Sequence, residues 1–157
     1  MNGYRLEYVL SRTPGIRDIF AGFGNPDISV PRSNERPSVY ILNTAPSSDP
    51  GEHWCVICLE GKVCYFFDSF AQPPESYQFT DFFKSCNDLR YNTLQVQGLL
   101  SQTCGHHCLY FCIKYGNGKK PEEIMKSYSN NVALNDRMVY NFIRDNYGDM
   151  IATIKQR

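Results

Sequence analysis

The sequence predicts an α+β fold: one domain with a mixed central sheet and helices on its faces. Three observations point there. Helix-period apolar spacing stands at both ends of the chain, and short β-rich runs fill the middle. No internal repeat or low-complexity linker divides it. At 157 residues, the whole span 1–157 suits one domain, since compact domains cluster at roughly 100–150 residues.

Leu6, Val9 and Leu10 fall at i, i+3 and i+4, so residues 2–11 read as a short helix ended by Pro14-Gly15. A further helical turn is expected over Ile16 to Phe23, then loop over 24–37. Ser38 to Asn43 reads as a strand, and Asp49-Pro50-Gly51 as a turn. His53 to Leu59 and Lys62 to Asp68 read as a hairpin around Glu60-Gly61. Residues 76–87 look helical, with Phe79, Phe82 and Phe83 on one face, and Tyr91 to Gln97 reads as another strand. A helix is expected from Cys104 to Tyr115, stopping at Gly116, with another from Pro121. The last runs from about Asp136 to Tyr147, capped by Asn135.

Composition narrows the function classes. A hydrophobic fraction of 42% and an aromatic fraction of 14% support a packed core, which argues against a disordered chain. Lys+Arg and Asp+Glu both number 16, unlike the strongly basic balance of a dedicated nucleic-acid binder. No apolar run reaches the roughly 20 residues of a membrane span, and MNGYRLEYVL lacks the pattern of a signal peptide. A non-secreted, non-membrane protein is expected. The seven cysteines are odd in number, and five lie in apolar runs where a free Cys behaves as a small hydrophobe. A reducing compartment is the simpler reading.

The hairpin brings two polar residues together. A Glu60-Gly61 turn pairs Leu59 with Lys62, and that register carried outward sets His53 opposite Asp68. Their Cβ atoms would be roughly 4.5–5.5 Å apart. A carboxylate at that distance can fix a histidine tautomer and steady its imidazolium. Such a pair also occurs on sheet edges without consequence, and a one-residue slip would separate the two.

Cys104-Gly105 opens an apolar helix. Cys108, Phe111, Cys112 and Tyr115 make one stripe, and Leu109 and Ile113 a second, so the helix reads as buried with its first residue at the floor of a cleft. The helix dipole and an imidazolium both favour a thiolate there. Gly105 is expected to admit a substrate backbone. Gln97, seven residues before Cys104, could join the Cys104 backbone N–H as an oxyanion hole.

These residues resemble a known family. YILNTAPSSDPGEHW (40–54), CYFFDSF (64–70) and VQGLLSQTCGHHC (96–108) are similar to motifs of the adenovirus-type cysteine endopeptidases (adenains) and their relatives in viral-like DNA transposons. The match covers roughly 37–115 and continues weakly in MVYNFIRDNY. The resemblance implies a papain-like core with rearranged chain order. It also implies cleavage of viral precursor proteins near Gly during particle maturation, within the host nucleus or cytoplasm and the virion. By resemblance His53, Asp68 and Cys104 form the triad, Gln97 the oxyanion hole, and Trp54 packs beside them. No cofactor is implied for the chemistry. A short viral peptide activates some members through a disulfide, and Cys86 stands about where its cysteine would be; an ordinary helix-end Cys is the alternative. The neutral charge argues against the DNA activation of those members, and Lys114, Lys119, Lys120 and Lys126 read as a solvated face. A monomer is expected.

Two rivals remain. A ubiquitin-like-protein protease shares the His-Trp, Asp and Gln…Cys-Gly layout. A zinc-binding interaction module would use Cys55-x-x-Cys58 or Cys104, His106, His107 and Cys108, though residues three apart on a strand point to opposite faces.

Overall fold

The structure, a computed structural model, describes residues 1–26, 36–45, 53–79, 83 and 86–154. The expected Asp49-Pro50-Gly51 turn and part of the expected 76–87 helix, including Phe82, lie outside the described residues.

Helix α1 spans Gly3–Leu10, with the Asn2 side chain accepting from the Arg5 N–H. Strands β1 (Phe20–Gly24), β2 (Ser38–Asn43), β3 (Trp54–Glu60), β4 (Val63–Phe67) and β5 (Asp88–Tyr91) form one sheet in sequence order. The outer pairs β1·β2 and β4·β5 are parallel, while β2·β3 and β3·β4 are antiparallel. Helices α2 (Cys104–Gly116), α3 (Pro121–Lys126) and α4 (Val132–Ile154) follow. The α+β class with a mixed sheet and packed helices is as expected.

Several elements differ from the sequence reading. Phe20 to Gly24 is a parallel edge strand, because hydrogen bonding to the neighbouring strand decides the state of a short aromatic segment with two glycines. The last strand lies earlier than expected, at Asp88–Tyr91. Gln97 therefore stands in a loop, where its backbone N–H donates to the Ser69 carbonyl. The final helix starts at Val132: Asn131 accepts from the Leu134 N–H, while Asn135 braces Ser129.

Two apolar cores clothe the sheet. On one face Val56, Cys58, Tyr65 and Phe67 meet α2, and the Phe67 and Phe111 rings stack at 4.5 Å. On the other, Leu42, Cys55, Ile57 and Phe66 meet Phe79 and Phe83. Alternation along β3 assigns Cys55 and Cys58 to opposite faces. A Cys64–Cys86 disulfide joins β4 to the residue two before β5. This corrects the reading of Cys86 as the cysteine open to an activator peptide's disulfide, since its sulfur is taken by Cys64, and the simpler reading of reduced cysteines. The β4·β5 pairing sets Leu89 beside Cys64, which brings Cys86 within reach.

Candidate active site

The observed hairpin corrects the register on which the site was expected. Glu60 pairs with Val63 and Leu59 with Cys64, so Gly61 and Lys62 form the turn. Gly61 adopts φ +58°, in the left-handed region that favours glycine. Carried outward, this register sets His53 beside Phe70, and the two rings stack at 4.7 Å. Asp68 becomes the diagonal neighbour of His53. Because the register moved by two residues, both side chains keep the same face. They meet with His53 Nε2 2.6 Å from Asp68 Oδ1.

Asp68 is fully buried and thoroughly bonded. Oδ1 also accepts from the Phe70 N–H, and Oδ2 accepts from the Gln72 N–H and the Tyr77 hydroxyl. The Asn92 side chain receives the Asp68 N–H and donates to its carbonyl, extending the β4·β5 pairing one step beyond Tyr91. Burial alone would raise the Asp68 pKa. The hydrogen bond and charge of His53, then Tyr77 and the Phe70 N–H, outweigh it and hold the carboxyl below its ordinary value.

Cys104 is the first residue of α2, half-buried, and close enough to His53 and the Trp54 backbone N–H for both to bear on its ionisation. Burial opposes ionisation of this thiol, but those two neighbours and the histidine charge lower its pKa nonetheless. For His53, burial favours the neutral ring, yet its bonds and charge interactions with Asp68 and Cys104 raise its pKa to about 9. The lowered thiol and the raised imidazole both favour the thiolate–imidazolium form of the pair over what either group would adopt alone. Cys55, Cys58, Cys108 and Cys112 are buried, and burial pushes each of their thiols up.

Gln97 is buried and firmly oriented. Its Oε1 accepts from the Ser69 hydroxyl at 2.5 Å, and its Nε2 donates to the Ser101 carbonyl at 3.0 Å. A carbonyl can only accept, so the amide orientation follows from the network. The second amide hydrogen has no partner among the described residues. The Trp54 side chain turns to the N-terminal segment and β1. Its indole N–H donates to the Met1 carbonyl, and its ring meets Phe23 edge to face.

Gly105 departs from expectation. The position a Cβ would take lies 2.9 Å from the Met1 Cβ and 3.6 Å from Leu6, so the glycine admits the start of α1 instead of a substrate. Cys86 is remote in role, being joined to Cys64. Sequence reasoning missed Tyr77, Asn92, Ser69 and Asp136. All four act through hydrogen bonds between distant segments, which no local spacing announces.

The zinc groupings do not assemble as that rival requires: Cys55 and Cys58 sit in different cores, and among the described residues the ligand-capable cluster is His53, Cys55 and Asp68, not Cys104, His106, His107 and Cys108. The potential ligand atoms of His53, Cys55 and Asp68 lie within 4.8 Å of one another, but His53 and Asp68 are already bonded together and the Cys55 thiol is held protonated by burial.

No family model matches the sequence, and no curated protein matches it. Among solved structures, the pS273R protease of ASFV is similar, with 15% identity, a TM-score of 0.43, and coverage of 66% of this chain and 43% of that one. ChlaDub1 from Chlamydia trachomatis is similar at 14% identity and a TM-score of 0.48, over 69% of this chain and 58% of that one. The chain thus spans about half the length of these structures. The functional reading rests on the geometry of the site.

Proposed function

We propose that the chain is a cysteine endopeptidase with Cys104 as nucleophile, His53 as acid and base, and Asp68 orienting the histidine. The observation that carries this reading is the 2.6 Å Asp68–His53 bond set beside Cys104, whose ionisation His53 governs, at the start of a buried helix. In the proposed reaction the Cys104 sulfur attacks the scissile carbonyl. The spare Gln97 N–H and the Cys104 backbone N–H receive the developing oxyanion. His53 gives its proton to the leaving amine, and a water activated by His53 then releases the acyl group from sulfur. None of these steps calls on a cofactor.

The substrate reading follows the family resemblance. It is cleavage of viral or viral-like precursor proteins near Gly during particle maturation, by a chain acting as one domain and as a monomer. Glu122 and Glu123 stand between Lys119, Lys120 and Lys126, which supports a solvated mixed face there over a DNA-binding one. Among the described residues no helix is long and apolar enough to cross a membrane.

A peptide library profiled with wild type and Cys104→Ala, with and without reductant, tests the reading. Wild type is expected to cleave near Gly, and Cys104→Ala to lose turnover by at least about 1,000-fold. Full activity in Cys104→Ala would refute the nucleophile. Preferential release of intact ubiquitin-like modifiers, without cleavage of viral-type Gly sites, would replace the maturation reading with the ubiquitin-like one.

A further inference from the structure

Asp136 bonds neither His53 nor Cys104, yet it holds both ends of the loop between Gln97 and Cys104. Its Oδ2 accepts from the Gly98 backbone N–H at 3.1 Å, immediately after Gln97. Its Oδ1 accepts from the Thr103 hydroxyl at 2.9 Å, immediately before Cys104. The same oxygen lies 2.9 Å from His107 Nε2, one turn into α2. His107 is fully buried, and burial keeps its ring neutral despite the carboxylate. Nε2 therefore donates to Asp136, and Nδ1 receives the Tyr128 hydroxyl at 3.1 Å. A single carboxylate from α4 thus gathers one backbone N–H, one hydroxyl and one imidazole.

Apolar burial does not hold this loop. Leu99 is 76% exposed and Leu100 99% exposed. What holds it is polar: Asp136 at the two ends, and within the loop the Ser101 carbonyl receiving the Gln97 amide. Thr103, which donates to Asp136, accepts from the Ser101 hydroxyl at 2.9 Å. Asp136 is thereby linked to the orientation of Gln97 as well as to the place of the α2 N-terminus.

We propose that Asp136 is a positioning residue that sets the distance between the two oxyanion donors, the Gln97 side-chain N–H and the Cys104 backbone N–H. This rests on the protease reading. An amide at 136 must turn its NH2 either toward the Gly98 N–H or toward Thr103 and His107, so it cannot satisfy all three donors.

The test compares wild type, Asp136→Asn and Thr103→Val, the last removing one pin and sparing the carboxylate. Peptide turnover, inhibition by a peptide aldehyde, iodoacetamide alkylation of Cys104 and amide exchange at Gly98 are measured on each. Asp136→Asn is expected to lower kcat about 10- to 100-fold with little change in KM, and to weaken aldehyde binding in proportion. Cys104 alkylation should stay at the wild-type rate, because His53 and Trp54 set that thiolate. Thr103→Val should show the same pattern in smaller measure, and it carries the test should Asp136→Asn fail to fold. Wild-type kcat and aldehyde affinity in the variants would overturn the proposal. So would a loss of alkylation parallel to kcat, which would locate the damage at the nucleophile. Absence of Cys104-dependent turnover in wild type would remove the protease reading, and Gly98 exchange would then still report whether Asp136 holds the loop.

Discussion

Asp68 carries an unusual load for one side chain. Its two oxygens meet His53, Tyr77 and two backbone N–H groups, while Asn92 fixes its backbone. This concentration of donors keeps it charged in a buried place, and its charge in turn holds the His53 proton. The sign of the pH dependence follows. The Cys104–His53 ion pair forms as pH rises through the lowered Cys104 pKa and is lost as pH rises through about 9, where His53 gives up its proton. The stability contributions run in opposite senses. That of His53 is fully present below roughly 6.5 and lost as pH rises through about 9. That of Asp68 is present above roughly 3.9 and lost as pH falls through its lowered value. Asp68→Asn removes the main interactions that raise the His53 pKa. Its kcat/KM profile should lose the alkaline limb at lower pH than wild type, with a drop of about 10- to 10,000-fold at the optimum. A pH–rate series on both proteins measures this, and an unmoved alkaline limb would deny Asp68 its orienting role.

At the scale of elements, the hairpin shows what the sequence could and could not tell. Periodicity and β-rich composition located β2, β3 and β4 within a residue or two at each end. Glu60-Gly61 marked the turn, but glycine takes its first central place and not its second. The register therefore differed by two residues while the shared face survived, so His53 and Asp68 meet diagonally. Helix α2 was legible for a different reason. Its apolar residues surround it, as expected of a helix buried between a sheet and other helices. The edge strand β1 and the placement of β5 were not legible, since parallel pairing to a distant neighbour decides them. The anchoring of Gln97 in a loop was hidden likewise, because Ser69 lies 28 positions away and only the fold brings it near.

Across the whole molecule, the site lies where the N-terminus of α2 meets the ends of β3 and β4, with both cores converging behind it. Trp54 links it to α1 and β1, and Asp136 links it to α4. The Cys64–Cys86 disulfide serves the opposite core, closing a sequence separation of 22. Loop-closure entropy assigns such a bridge about 3 kcal/mol. Cys86→Ser should therefore lower the denaturation midpoint, and adding reductant should bring wild type down to the variant; equal midpoints without reductant would mean that the bridge contributes nothing. The central claim, a thiolate–imidazolium pair at Cys104 and His53, is tested most directly by the pH dependence of Cys104 alkylation with iodoacetamide. Wild-type Cys104 should react as a thiolate below the ordinary thiol range, and His53→Ala should move its titration up toward roughly 8.5. A wild-type Cys104 that titrates at or above the ordinary thiol value, unmoved by His53→Ala, would contradict the account.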